Sequence, residues 1–357
     1  MKNIAVLGLG KVGTLVGILL SKQFTVIAYD NSEPHYPIKL PFPYKIKDLS
    51  SANQIHQIVE QVDAVVSALP YQLNKSIATI AYQKGIHYFD LTEDVRTTNY
   101  IQSIAKNAAA VLAPQCGLAP GLIGIIGGNL AKKFDTLRDI ELRVGALPRY
   151  PNGQLSYSFT WSPKGVLNEY LQDAEAIHNG KQKMVPSLQG FEHMNIEGQE
   201  YEAFTTSGGL GTMCTTFAGK VDTLNYKTIR YPGHGKLMHF LLYELILKND
   251  LPQLEQLLTN AKPPVEEDLV HVYAVVEGKI AGKMKREEFF KTYLPKEIAG
   301  HKWRAISWTT AASLAAVVEL VAQGTLAQKG FVKQENIDIN DFYKTQNGSL
   351  LKTPTSP

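Results

Sequence analysis

At 357 residues, with 44% apolar and 19% charged side chains, the chain is long enough for two globular domains, each with a core of its own. The formal net charge of +3 is small for that length and gives no reason to expect nucleic acid or a membrane surface as partner. Cys116 and Cys214 alone exclude a disulfide framework and a thiolate zinc cluster. No apolar run approaches the ~18 residues of a membrane span. A reduced, cytoplasmic protein is therefore the expectation.

Residues 4–7 are a short apolar run suited to a buried parallel strand, and residues 14–20 suit a buried helix. The turn between them is Gly8-Leu9-Gly10-Lys11-Val12-Gly13. Gly8 permits the tight turn, Gly10 lets backbone approach a pyrophosphate, and Gly13 lets the helix pack closely on the sheet. The helix start, with its unpaired N–H groups and partial positive charge, holds phosphate. A second strand, 24–29, ends in Asp30, about 20 residues beyond the glycines, where a carboxylate binds the ribose 2′-hydroxyl and repels a 2′-phosphate. The pattern predicts a dinucleotide site that prefers NAD to NADP. Met1-Lys2 before the apolar run faintly resembles a signal peptide, but glycines interrupt it and no small-residue cleavage site follows, so it reads as retained.

Residues 31–43 read as a proline-punctuated loop, and 54–61 as a helix. Residues 63–70 read as a buried strand stopped by Pro70, its end (Ser67, Ala68, Leu69, Pro70, Tyr71) facing the nicotinamide half of the cofactor. A helix at 74–84 stops at Gly85, a strand follows at 87–91, and Thr92-Glu93-Asp94 opens another helix with a capping hydroxyl. A strand at 110–113 closes the series. The alternation predicts an α/β, Rossmann-type doubly wound parallel sheet, with the corner from Cys116 and Gly117 to Leu122 at its carboxyl edge.

Beyond residue 129 the pattern changes. Segments 138–147, 155–161, 174–185 (with an Asn179-Gly180 turn), 201–206, 227–231 and 270–283 alternate or carry β-branched and aromatic residues, which predicts an α+β domain with a largely antiparallel sheet. Residues 303–323 form a long apolar helix expected to return to the first domain. The resulting division is 1–128 for the cofactor domain, 129–300 for the substrate domain, 301–345 for the returning helix and 346–357 for a loose polar tail.

Ser67-Ala68-Leu69-Pro70-Tyr71, Gly117-Leu118-Ala119-Pro120-Gly121, Thr206-Ser207-Gly208-Gly209 and the block from Tyr226 to His234 together resemble the saccharopine dehydrogenase family, over roughly residues 2–332. Within it the likeness is to bacterial lysine 6-dehydrogenase and to glutamate-forming saccharopine dehydrogenase. The resemblance implies oxidation of the carbon–nitrogen bond at the lysine ε-carbon, with hydride passing to a nicotinamide cofactor. Saccharopine would give glutamate and 2-aminoadipate semialdehyde; lysine would give the same semialdehyde and ammonia. Both reactions need a group that relays protons near neutrality. A homodimer is expected by the same likeness.

Arg230 is the first choice for binding a substrate carboxylate, since a planar guanidinium matches it through two parallel hydrogen bonds, as the resemblance also implies. Lys227 reads equally as solvated. For the relay, His234, Asp90, Glu93, Asp94 and Tyr71 stay open: His234 has a suitable unperturbed pKa but also suits a turn, and Asp94 also suits a helix cap. Cys116 reads as a small buried residue. Thr206, Ser207, Gly208 and Gly209 offer hydroxyl and N–H groups to an α-amino-acid end, and Trp161 could cover an aliphatic stem or sit in the core. The isolated histidines His178, His193, His271 and His301 have no metal-ligand spacing. Saccharopine, with three carboxylates, needs further cations from Arg143, Arg149, Lys164 or Lys236. The rival of another class is a non-catalytic NAD-binding sensor or scaffold, which explains residues 8–30 but not Arg230, His234 and the glycine-rich loop.

Overall fold

The computed structural model describes residues 1–352; residues 353–357, with that part of the predicted tail, lie outside the described residues. The chain divides into two compact units, the first built from Met1–Ile125 together with the chain from Ser307 onward, the second from Ile126–Ile306.

In the first unit the strands β1 (Asn3–Leu7), β2 (Thr25–Asp30), β3 (Tyr44–Ile46), β4 (Ala64–Ser67), β5 (His87–Asp90) and β6 (Val111–Ala113) alternate with α1 (Gly13–Leu20), α2 (Ala52–Val59), α3 (Tyr71–Lys84) and α4 (Val95–Ala105). The sheet is parallel throughout, in the order Gly330–Phe331, β6, β5, β4, β1, β2, β3. Leu7 stands level with Tyr29 on one side and Ser67 on the other, so the carboxyl ends of β1, β2 and β4 finish together where the strand order reverses. β4 is wholly buried and β1 nearly so, which is why both read as continuous apolar runs. All eight residues of α1 are buried too, so the helix has no polar face. Gly85 ends α3 in the left-handed conformation, its N–H and that of Ile86 returning to the carbonyls of the last turn.

Several elements differ from expectation. The proline-rich loop ends in the short edge strand β3, and Gly330–Phe331 adds a further strand outside β6. The cap of α4 is Asp94, whose carboxylate accepts the Thr97 N–H at 2.7 Å, rather than the Thr92 hydroxyl, which accepts from Asp94 N–H at 3.3 Å. Residues 346–352 are not loose. Glu319, fully buried, accepts the backbone N–H of Gln346 and Asn347 and the Asn347 amide, and a helical turn follows at Gly348–Lys352.

The second unit holds α5 (Leu122–Ala131, which begins in the first), β7 (Thr136–Pro148), α6 (Pro163–Leu171), β8 (Ala174–His178), β9 (Lys181–Val185), β10 (Glu192–Ile196), β11 (Gln199–Thr205), α7 (Met213–Phe217), β12 (Thr223–Arg230), α8 (His234–His239), α9 (Leu251–Ala261), β13 (Asp268–Ile280) and β14 (Lys283–Tyr293). Its mixed sheet runs β10, β11, β12, β7, β13, β14, with the β8–β9 hairpin attached to β12. Only the β12–β7 pair is parallel. The predicted strand at 155–161 is irregular buried chain: Ser156 sits at φ 47°, and Thr160 N–H turns back to the Ser158 carbonyl.

The apolar helix α10 (Ala305–Ala322) corrects the expectation that no stretch approaches a membrane span. By length and composition it is sufficient, yet 89% of it is buried inside the protein, Glu319 included. Asp268, itself buried, accepts the Ala305 and Ile306 N–H groups at 2.6 and 3.0 Å and so caps the start of this helix.

Candidate functional site

In the first unit the predicted phosphate-binding turn joins β1 to α1. Gly8 sits at φ 97°, its N–H bonded to the Tyr29 carbonyl at 2.8 Å. A Cβ on Gly13 would stand 2.0 Å from the Gly8 carbonyl oxygen, so the helix can lie this close to the turn only with glycine there. A Cβ on Gly10 would meet nothing within 4 Å. Backbone at Gly10 is therefore open to approach, and α1 begins with no acidic residue and no side-chain cap; the Thr14 N–H turns to the Gly10 carbonyl at 3.3 Å. The Thr14 hydroxyl fixes the loop by donating to the Leu9 and Gly10 carbonyls. Lys11 and Val12, half-buried, complete the turn. Asp30 accepts the Leu9 N–H at 2.5 Å through one carboxylate oxygen and the Ser32 N–H and hydroxyl through the other. It thus holds the glycine loop as well as standing half-exposed where a ribose would bind. These residues fit a dinucleotide.

The other predicted cofactor contacts divide. Ala68 and Leu69 are half-buried and Pro70 is exposed, and the Ala68 carbonyl oxygen lies 2.9 Å from the place of a Gly8 Cβ, so this turn borders the glycine loop. Ser67 is buried and donates to Asn74 at 2.7 Å; its hydroxyl joins β4 to α3 instead of facing a ligand. Gly117 is buried in its corner, bridged to Gly121, with the Leu122 N–H on its carbonyl.

Of the groups predicted to relay protons, Asp90 is fully buried and accepts from the Tyr88 hydroxyl at 2.6 Å and from the Thr92 and Gln115 N–H groups at 2.9 and 3.0 Å. Burial raises its pKa to about 6 against the pull of those bonds. It is a tie between β5 and the chain after β6. Asp94 is occupied as the α4 cap. Tyr71 opens α3 half-buried, and its pKa is raised by burial and then by the field of Asp94. Glu93, in the same β5–α4 turn, is only partly exposed. Burial, then Asp94 and Asp90, lift its pKa to about 7, the value a relay at neutrality requires. Cys116 is buried, with the Gln334 amide on its sulfur, and burial pushes its thiol well up, so it is no nucleophile.

In the second unit Arg230, at the end of β12, is 2% exposed. Its Nε donates to the Tyr170 hydroxyl at 2.9 Å and its Nη1 to the Ile229 carbonyl and the Thr228 hydroxyl at 2.9 and 3.2 Å. Its guanidinium carbon lies 4.7 Å from the Tyr157 ring centre and 5.8 Å from that of Tyr170. Arg138, Arg143, Arg149, Arg286 and Arg304 of this unit each have a carboxylate within 4.0 Å. Arg230 has none among the described residues, although Glu169 contributes a longer-range field. A buried cation without a counter-ion is costly unless its N–H groups are bonded, and here the Tyr170 and Thr228 hydroxyls and the Ile229 carbonyl supply that in part. The buried hydroxyls of Thr160 and Thr206, also in this unit, have no hydrogen-bond partner in the described chain.

His234 is not a relay. It is 1% exposed, bonded through Nδ1 to the Leu155 carbonyl and through Nε2 to the Tyr170 hydroxyl, and burial followed by the Arg230 charge lowers its pKa to about 3. Lys227 is paired with Glu192 at 2.6 Å, and Arg143 with the same carboxylate and the Asn225 amide oxygen. Residues 225, 227 and 143 share one face of the sheet, and Arg230 lies on the other. In the glycine-rich loop, the Ser207 N–H is taken by the Glu169 carbonyl, Gly208 is at φ 85°, and a Cβ on Gly209 would strike the Tyr226 ring at 2.3 Å. Both glycines therefore have structural reasons, and the Thr206 hydroxyl is the group left over. Trp161 is half-buried beside the Tyr157 hydroxyl. Arg149 is exposed against Glu267, and Lys164 is exposed. Tyr157 and Thr160 are unexpected here because 155–161 reads as an ordinary strand, and Tyr170 because it stands on α6, a helix absent from the predicted elements.

The saccharopine dehydrogenase NADP-binding domain model matches residues 4–116, and the saccharopine dehydrogenase C-terminal domain model matches residues 117–352. The chain is 24% identical over 282 residues to the mitochondrial alpha-aminoadipic semialdehyde synthase of Mus musculus, a match covering 71% of this chain and 29% of that protein. It is 21% identical over 212 residues to the saccharopine dehydrogenase (NADP(+), L-glutamate-forming) of Schizosaccharomyces pombe, covering 55% of this chain and 46% of that one. The chain thus spans less than half the length of these curated relatives. Apo saccharopine dehydrogenase (L-Glu forming) from Saccharomyces cerevisiae shares the fold, with a TM-score of 0.76 at 15% identity over 96% of both chains. With two domain models that together take in nearly its whole length, the chain belongs to the saccharopine dehydrogenase family of oxidoreductases.

Proposed function

We propose that the chain is an NAD-dependent, glutamate-forming saccharopine dehydrogenase, cleaving oxidatively the C–N bond at the lysine ε-carbon to give 2-aminoadipate semialdehyde. The observation that carries this reading is the buried, carboxylate-free Arg230 guanidinium in its tyrosine box. It holds a substrate carboxylate, and the names of the relatives supply the substrate class. A nicotinamide dinucleotide, when bound, supplies the hydride acceptor, with Gly10 and the start of α1 holding its pyrophosphate and Asp30 its ribose. Glu93, poised at about 7, takes the proton from the secondary ammonium so that the imine can form, and returns it to the nitrogen when the carbinolamine made by water breaks down to aldehyde and glutamate.

The preference for NAD rests on Asp30 and the exposed Glu33 three residues on, with no lysine or arginine between Asp30 and Lys39. A 2′-phosphate would meet carboxylates and no cation in that stretch. This differs from the NADP label of the family model and of the fission yeast relative. One buried arginine with no carboxylate beside it among the described residues also matches the one carboxylate of lysine, which supports L-lysine 6-dehydrogenase as the second reading. Following NADH formation with L-saccharopine and L-lysine in parallel decides between them, and repeating the assay with NADP tests Asp30. We expect saccharopine turnover with NAD and at least about tenfold weaker use of NADP. Tight dinucleotide binding with no turnover of either amino acid would leave only a cofactor-binding sensor or scaffold.

A further inference from the structure

The hydrogen bonds around His234 have a fixed direction. Nδ1 lies 3.0 Å from the Leu155 carbonyl, which can only accept, so Nδ1 carries the ring proton. The buried imidazole is neutral, and its Nε2 is therefore a bare acceptor. The Tyr170 hydroxyl, 3.0 Å away, has to donate to it. That turns the lone pairs of the Tyr170 oxygen toward Arg230, whose Nε–H donates into them at 2.9 Å. With Nη1 spent on the Ile229 carbonyl and the Thr228 hydroxyl, both N–H bonds of Nη2 remain without a partner among the described residues. The ring itself is clamped, its centre 5.0 Å from that of Tyr157 and stacked on Phe204 at 6.4 Å, while Glu202 fixes the backbone on either side of it by accepting the Gly233 and Gly235 N–H groups.

We infer that His234 and Tyr170 are positioning residues, a one-way hydrogen-bond chain from the Leu155 carbonyl to the Arg230 Nε that fixes the plane of the guanidinium and aims its Nη2 edge at the incoming carboxylate. The inference rests on the reading of Arg230 as the carboxylate receptor. It explains why a histidine occupies a place where it cannot titrate near neutrality. Neutrality is the requirement: a charged imidazolium would offer Nε2 as a donor, reverse the Tyr170 hydroxyl and set its proton against the Arg230 N–H.

Two measurements test it on the full chain. In ¹⁵N-histidine NMR, His234 should hold the Nδ1-protonated tautomer at neutral pH; the Nε2-protonated tautomer or an imidazolium would overturn the chain of donors. In steady-state kinetics with L-saccharopine, and with L-lysine in parallel, His234→Phe and Tyr170→Phe should each raise KM about tenfold while kcat falls far less, since a bond to a charged group is lost but the ring packing stays. His234→Gln, whose amide oxygen can accept from Tyr170, should recover most of the affinity, which a purely structural role would not produce. Unchanged KM in Tyr170→Phe sinks the inference even where His234→Phe fails to fold. Arg230→Ala separates the two ideas. If it loses saccharopine while Tyr170→Phe does not, the carboxylate reading stands and the positioning chain falls; if it binds normally, the receptor itself is wrong.

Discussion

Gly10 and Gly13 stand three residues apart and should fail in opposite ways. Gly10→Ala adds a methyl to open space, so the unfolding midpoint should not move, while dinucleotide affinity, measured by calorimetry, should fall by roughly tenfold or more as the methyl enters the predicted phosphate site. Gly13→Ala drives a Cβ to 2.0 Å from the Gly8 carbonyl and should lower stability whether or not cofactor is present. Glu93 gives a second residue-scale test. As a general base it must be ionised, so kcat/KM should rise with pH through about 7, and Glu93→Gln should remove that limb. Asp94 contributes to the raised pKa, so Asp94→Asn, which can still cap α4, should move the limb to lower pH. The close packing at Gly13 was legible because steric rules act locally on the chain. Glu93 was visible only as one acid among several, since what sets its pKa is enclosure by residues brought to it by folding.

At the scale of elements, α10 depends on a residue 37 positions before it. Asp268→Ala would remove the carboxylate that accepts the Ala305 and Ile306 N–H groups and should destabilise the protein by about 2 kcal/mol in chemical denaturation. Glu319 plays the matching part for Gln346 and Asn347, and Glu319→Ala should raise amide exchange there before any change elsewhere. The central strands of the parallel sheet were legible as apolar runs because both faces are covered. β14 was not. Its sequence, Lys-Met-Lys-Arg-Glu-Glu-Phe-Phe-Lys-Thr-Tyr, is charged because it is an exposed edge, and only its eleven-residue register with β13 makes it a strand. α6 (PKGVLNEYL) and α9 (LPQLEQLLTNA) are absent from the predicted elements, although each carries a capping Ser or Asp and a proline in its first turn.

For the whole molecule, buried ionisable groups pull stability in both directions with pH. His234 and His271 have folded pKa values of about 3 and 4, below the ordinary 6.5, so the stability they contribute is complete above 6.5 and is lost as pH falls toward those values. Asp90, Asp268 and Glu93 are raised instead, to about 6, 6 and 7; their contribution is present below the ordinary carboxylate range and lost as pH rises through those values. The net curve is a sum of opposing slopes, so the sharper test is a difference. His271 sits between the Thr292 and Tyr201 hydroxyls, and His271→Gln should flatten the acid-side loss between pH 6.5 and about 4 by up to ~3 kcal/mol, read from denaturation midpoints at each pH.

The amino-acid sequence by itself determined what depends on short-range geometry and composition: the strand–glycine–helix–Asp30 fingerprint, the alternation that makes a doubly wound sheet, and Arg230 as the cation to follow. Tertiary structure decided everything that depends on which charges meet. It paired Arg143 and Lys227 with Glu192 on one face of the sheet and left Arg230, among the described residues, without a carboxylate on the other, and it sealed His234 into a hydrogen-bond chain. The reason is physical: a side chain's type sets what bonds it can make, but burial and partners set its charge, and both are supplied by residues tens of positions away.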